Sequence, residues 1–206
     1  MHYKKNRGFV LWLWSILTVS FFILIILYFF PEVDLKISEY FSKSQKPIIL
    51  GVMWLISELA SIYFILIISF VIAVVLIKNN KYKFLAFYLT STVLGEAIIL
   101  LIKEVVQRAR PVYFTNLGYS FPSGHATLSM ILFGAIIFLL WPKYKEKSLL
   151  LLFIPLLIGF SRVYLNVHWL SDIIGGFFIG AIWLLFMSWI FFRGNGSKGL
   201  NTFPKN

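Results

Sequence analysis

The sequence predicts an all-α membrane protein, a six-transmembrane-helix bundle with an interfacial helix after the first span. Three observations carry this expectation. Of 206 residues, 60% are hydrophobic and 13% charged, against about 45–50% and about 25% in ordinary soluble domains. The apolar residues fall in runs long enough to cross about 30 Å of hydrocarbon, which takes about 20 helical residues. The cations sit in short clusters between those runs, not along one face. That pattern anchors the cytoplasmic ends of membrane helices, so no nucleic-acid partner is expected despite a net charge of +11.

The first run, Phe9 to Phe30, follows Lys4, Lys5 and Arg7 and ends at Pro31. It is too long for the apolar region of a signal peptide and lacks a small-residue cleavage site, so it reads as a retained anchor. Glu32 to Lys46 is more polar and predicts an interfacial helix. Pro47 to Ile77 is the second block, long for one span, with its first turns expected at the interface. Lys78 to Lys83 is a basic loop. The third span covers Phe84 to Val106, and a polar segment rich in Pro and Gly follows from Gln107 to Gly124. The fourth span covers His125 to Trp141, Pro142 to Lys147 is a second basic loop, and Ser148 to Tyr164 and Leu170 to Phe192 are the fifth and sixth. A tail rich in Gly, Asn and Lys closes the chain. Neither an internal repeat nor a linker divides it, so residues 1–206 read as one domain. Twelve Lys and Arg residues fall at the termini and the two basic loops, and seven on the other side. The positive-inside rule then puts both termini in the cytoplasm and the polar segment outside.

Three polar blocks interrupt this background. Lys103 and Arg110-Pro111 are seven residues apart, two helical turns if the helix persists, and paired cations suit the oxygens of a phosphoryl group. Read alone, they are better taken as a pair of snorkelling cations at a helix end. Pro122-Ser123-Gly124-His125 precedes the fourth span. Ser123 is a good N-cap, a helix N-terminus binds anions, and Gly124 lets the backbone approach closely. His125 can give a proton to a leaving oxygen near neutral pH. Ser161-Arg162, His168 and Asp172 form the third block. Four residues apart on a helix, Asp172 can accept from one imidazole nitrogen of His168 and leave the other nucleophilic, while Arg162 can bind phosphate with both ends of its fork.

Lys, six residues, Arg-Pro; then Pro-Ser-Gly-His; then Ser-Arg, five residues, His, three residues, Asp is a pattern met here at every fixed position between residues 103 and 172. On these motifs the chain resembles the type 2 phosphatidic acid phosphatase (PAP2) family, which includes bacterial phosphatidylglycerophosphatase B and undecaprenyl pyrophosphate phosphatases. The resemblance implies metal-independent hydrolysis of a lipid phosphate or lipid pyrophosphate, with no cofactor. His168 would be the nucleophile and form a phosphohistidine. Asp172 would orient it, and His125 would serve as acid and then base. Lys103, Arg110, Arg162, Ser123 and the Gly124 N–H would hold phosphate.

A site at the outer interface of the cell membrane would let a lipid headgroup reach it while the tails stay in the bilayer. Undecaprenyl pyrophosphate and phosphatidylglycerophosphate are the leading candidates; phosphatidic acid, diacylglycerol pyrophosphate and sphingoid phosphates come next. Tail length and oligomeric state are not written in these features. A lipid phosphotransferase using the same histidine is one alternative, because an alcohol as well as water can attack phosphohistidine. A non-enzymatic lipid-phosphate carrier is another, but it has no use for the His168–Asp172 pair. Glu58 and Glu96 fall inside predicted spans, where a charge is costly and a functional candidate by default. A protonated glutamate bonded within the bundle has equal weight, so neither joins the site set. The cysteine-free chain excludes disulfides and thiolate metal sites, and the motif blocks hold no acid cluster suited to Mg²⁺. Trp169, beside His168, reads chiefly as an interfacial belt residue.

Overall fold

Hydrocarbon offers no partner to a peptide N–H or C=O, so an apolar run must satisfy its backbone internally, as a helix does. The computed structural model describes residues 30–111 and 118–192, and every regular element among them is helical. Helix α1 (Pro31–Ser44) opens with Pro at its first position and carries Glu32 and Asp34 in its first turn and Lys43 in its last, which complements the helix dipole. Then come α2 (Pro47–Glu58), α3 (Ile62–Lys78), α4 (Tyr82–Val106), α5 (Gly124–Tyr144), a 3₁₀ stretch (Lys145–Leu152), α6 (Phe153–Tyr164) and α7 (Leu170–Phe192).

A helix forms where the sequence predicts the interfacial one. The second block does not form one span: α2 and α3 are bent by 42° at residues 59–61, where Ser61 caps α3 by accepting from the Phe64 N–H at 3.3 Å. The second basic loop is also revised. Helix α5 runs through Pro142 to Tyr144, and the chain turns at Lys145, whose φ is +44°. Pro142 is tolerated in the final turn, where few bonds remain to be lost. By length and composition, Tyr82–Val106, the continuous run Gly124–Tyr164 and Leu170–Phe192 can each cross a membrane, and the bent pair α2–α3 makes a fourth. The 41-residue run would stretch to about 60 Å at 1.5 Å per residue, twice the hydrocarbon thickness. It folds back instead, because α6 packs against α5. The chain is a multi-pass membrane protein. Of the predicted first span, all but Phe30 lies outside the described residues, as does the C-terminal tail.

Helix α1 is fastened to the α6–α7 turn. The Ser38 hydroxyl donates to Asn166 Oδ1 at 2.7 Å, the Gln45 amide donates to the Tyr164 carbonyl at 3.0 Å, and Phe41 packs on Phe160 and Tyr164. At the opposite end of the bundle, Phe84, Phe87, Phe138 and Phe192 form an aromatic cluster between α4, α5 and α7.

The most extensive helix pairing is α5 against α7, and small residues make it close. A Cβ at Gly176 would lie 3.0 Å from the Ser123 carbonyl, and one at Gly180 would lie 2.7 Å from the Thr127 carbonyl. Two glycines four residues apart thus let the backbones nearly touch, the small-residue solution to packing without a hydrophobic driving force. Gly180→Leu is therefore expected to lower stability by about 1–3 kcal/mol. Gly51→Ala, where an added Cβ meets nothing within 4 Å, should leave the midpoint unchanged or raise it. Thermal unfolding of the two variants in detergent checks this.

Candidate active site

Four helix ends converge at the end of the bundle away from the basic loops: the C-termini of α4 and α6 and the N-termini of α5 and α7. A backbone bond fastens two of them, the Ser123 N–H donating to the Asp172 carbonyl at 3.2 Å. Ser123 caps α5, its buried hydroxyl accepting a long bond from the Ala126 N–H at 3.5 Å. His125 follows in the first turn. A Cβ at Gly124 would meet only Ile99, at 4.0 Å, so this glycine faces open space and not packed protein.

His168 does not share a helical face with Asp172. It precedes α7, in a turn that contains Asn166 at φ +57°. The two still meet, because Asp172 folds back over the helix start. Its Oδ2 accepts from the Trp169 N–H at 2.9 Å and from the Ser120 hydroxyl, and lies 3.3 Å from His168 Nδ1. His168 Nε2 is 3.1 Å from Arg110 Nη1. A guanidinium only donates, so Nε2 must be the acceptor. The carboxylate at Nδ1 demands the same tautomer: proton on Nδ1, lone pair on Nε2.

Burial pulls the His168 imidazole down to about 4, with the charges of Arg110 and Arg162 acting in the same direction and Asp172 opposing them. His168 is thus a neutral base at physiological pH. Burial likewise lowers Arg110, with Asp172 opposing, but a guanidinium stays charged.

Lys103 and Arg110 converge, but not along one helix. Helix α4 ends at Val106, where Gln107 adopts the left-handed conformation. The loop then returns Arg110 to Lys103, and both donate to the Tyr119 carbonyl, at 3.2 and 2.6 Å. Arg110 also donates to the carbonyls of Gly118 and Val167. Arg162 reaches to the α2–α3 bend, where its Nη1 donates to Ser57 Oγ at 2.6 Å, while its buried Nε has no partner. His125 lies within electrostatic reach of Arg162, His168, Arg110 and Lys103. The structure therefore gathers Lys103, Arg110, His125, Arg162, His168 and Asp172, with Ser123 and Gly124 at the start of α5. Of the two acids in predicted spans, Glu58 is within the field of Arg162 and Glu96 within that of Lys103. Glu96 Oε2 is buried without a hydrogen bond.

Sequence reasoning missed Asp34 and Arg108. Arg108 bridges two buried carboxylates, donating from Nη1 to Asp172 Oδ1 and from Nη2 to Asp34 Oδ2, both at 2.7 Å. Its other face lies over Trp169, 5.5 Å from the ring, and the indole N–H donates to the Ala109 carbonyl at 2.8 Å. Trp169 thus braces the Arg108 loop. The one available signal was an acid in an otherwise amphipathic helix, and nothing local paired it with a residue 74 positions away.

The sequence profile of the PAP2 superfamily matches residues 84–195. An undecaprenyl-diphosphatase of Sulfolobus acidocaldarius is 34% identical over 110 residues, 49% of this chain and 50% of that one. Phosphatidylglycerophosphatase B of Bacillus subtilis is 33% identical over 91 residues, 39% of this chain and 45% of its own. The chain spans about half the length of the curated relatives it matches. In fold it resembles the crystal structure of a transmembrane PAP2 type phosphatidylglycerolphosphate phosphatase from Bacillus subtilis. That likeness has a TM-score of 0.76 at 24% identity, covering 84% of this chain and 94% of the other.

The chain has three histidines, so nitrogen NMR of the histidine-labelled protein resolves them. His168 is expected to titrate near pH 4 and to hold its proton on Nδ1 above that. A midpoint at the ordinary value of 6.5 would contradict the buried, cation-flanked geometry.

Proposed function

The chain belongs to the PAP2 superfamily, and from that premise we propose that it is a membrane phosphatase that hydrolyses a lipid phosphate or pyrophosphate through phosphohistidine. The observation that carries this reading is His168: buried, neutral, its Nδ1 on Asp172 and its Nε2 lone pair turned toward the cations. Nε2 attacks phosphorus, and the bond from phosphorus to the bridging oxygen breaks in line. His125 gives its proton to that oxygen, which leaves as an alcohol or a lipid monophosphate. Water then attacks the phosphohistidine, His125 takes the proton, and phosphate departs with the electron pair of the N–P bond returned to His168. Lys103, Arg110 and Arg162 hold the phosphoryl oxygens, with Ser123 and the Gly124 N–H at the start of α5. The orphaned Arg162 Nε supports this role, since a buried donor calls for an acceptor. Fixed cations do here what a metal does in other phosphoryl-transfer sites.

Undecaprenyl pyrophosphate and phosphatidylglycerophosphate are the proposed substrates. The names of the relatives and the setting at the end of an apolar bundle support that choice. The termini are proposed to be cytoplasmic and the site to face outward, since the basic loops lie at the opposite end.

Purified protein in detergent with EDTA is expected to release phosphate from at least one of these two lipids. His168→Ala should lower the rate by three orders of magnitude or more, on the order of losses seen for catalytic nucleophiles. Loss of activity with EDTA, or its survival in the variant, would defeat the mechanism. The orientation is checked separately, because a chain without cysteine accepts single reporters. An impermeant maleimide should label Lys43→Cys from outside intact cells and leave Asn79→Cys unlabelled until the membrane is opened. The reverse result would invert the proposed topology.

A further inference from the structure

Asp34 is 1% exposed and belongs to none of the motif blocks. Its carboxylate does two things at once. It accepts from the Ser171 N–H at 3.0 Å and from the Ser171 hydroxyl at 2.5 Å, so helix α1 caps the first turn of α7 from outside. It also takes the second arm of Arg108, whose first arm bonds Asp172 Oδ1 and Ser171 Oγ. Capping alone needs no charge; a neutral Asn or Ser caps as well. A buried carboxylate is costly unless paired, so its presence needs an electrostatic reason.

Charge balance supplies one. If Arg108 faced Asp172 alone, guanidinium and carboxylate would cancel, and Asp172 would have little charge to offer His168. With Asp34 sharing the guanidinium, the three side chains sum to one negative charge, left beside the His168 Nδ1 proton. We propose that Asp34 and Arg108 are positioning residues that hold Asp172 in place and preserve its charge for His168, making the interfacial helix a working part of the active site. The proposal rests on the reading of His168 as nucleophile.

The charged and titratable groups around His168 are Lys103 on α4, Arg108 and Arg110 on its loop, His125 on α5, Arg162 on α6, Asp172 on α7 and Asp34 on α1. Glu58 on α2 acts on Arg162, and Glu96 on α4 acts on Lys103. Against this fixed background the two positioning residues act with opposite sign. Asp34→Asn leaves Arg108 to Asp172 alone and stabilises imidazolium less, so the His168 midpoint should fall. Arg108→Gln unmasks Asp172 and should raise it. Shifts of about half a pH unit or more are expected for changes in nearby charge. The double variant should return toward the wild type, and Asp34→Glu, which keeps the charge, should return furthest. Both single variants should lose about tenfold to hundredfold in kcat through misplaced geometry, with KM little changed. The Ser38–Asn166 and Gln45–Tyr164 bonds and the Phe41 packing keep α1 docked when Asp34 is neutral.

The experiment is nitrogen NMR titration of His168 in these four variants, paired with phosphate release from undecaprenyl pyrophosphate and phosphatidylglycerophosphate. Opposite shifts with loss of kcat support the proposal. No shift, or shifts of one sign, in folded variants overturn it and leave Asp34 a cap. If Asp34→Asn does not fold, the rise in Arg108→Gln and its reversal in the double variant decide the matter. Failure of the wild type to release phosphate would sink the proposed function, whereas the titrations judge the charge relay whether or not turnover is seen.

Discussion

A carboxylate sealed from water is the constraint on which this end of the bundle depends. Asp172 has no exposed surface, so each of its oxygens must find donors inside the protein. Oδ1 takes Arg108; Oδ2 takes the Trp169 N–H, the Ser120 hydroxyl and the proton of His168 Nδ1. Those donors come from three separate stretches of chain: the loop after α4, the segment before α5 and the start of α7. Satisfying one side chain therefore fixes three backbones. The Asp172 carbonyl adds a fourth hold by accepting from the Ser123 N–H, which puts the N-termini of α5 and α7 side by side.

That contact is sustained along the helices below it. Gly176 and Gly180 remove side chains where the α5 carbonyls of Ser123 and Thr127 come nearest, so the two helix axes approach closely over more than a turn. His125 and His168, one on each side of the seam, inherit their separation from backbone contacts and not from flexible side chains. Local packing and the chemistry of the site are thus one arrangement seen at two depths.

The sequence made much of this legible, and the failures have physical causes. The helix after the first apolar run was readable because Pro31 and the first-turn acids mark its start. The three motif blocks stood out because cations, histidines and an acid interrupt apolar sequence, and the structure gathers them at one end of the bundle. Lys103 and Arg110 would share a helix only if it persisted beyond Val106; it stops at Gln107, whose left-handed conformation has no strong signature in its residue type. The helix-face argument for His168 and Asp172 failed because helix α7 starts two residues too late; the pair meets through the carboxylate turning back on the first turn. The break in the second apolar block was overlooked, although Ser57, Glu58 and Ser61 stand around it, because three polar residues with no Pro or Gly among them are too weak a signal to end an apolar helix. Asp34 and Arg108 were the largest loss: periodicity reports which face of a helix is buried, never which distant charge will be waiting there.

The anchors of the three cations have one more consequence. Lys103 and Arg110 are steadied mainly by carbonyl oxygens, those of Tyr119, Gly118 and Val167, and Arg162 by a serine hydroxyl. Dipoles of this kind fix direction without cancelling charge. The three cations repel one another across a shared space, a repulsion that Asp172, Glu58 and Glu96 offset in part. A small tetrahedral oxyanion placed among them would ease that repulsion whatever group it carried. Under the proposed function, inorganic phosphate is therefore itself a ligand of the site and competes there with the lipid headgroup.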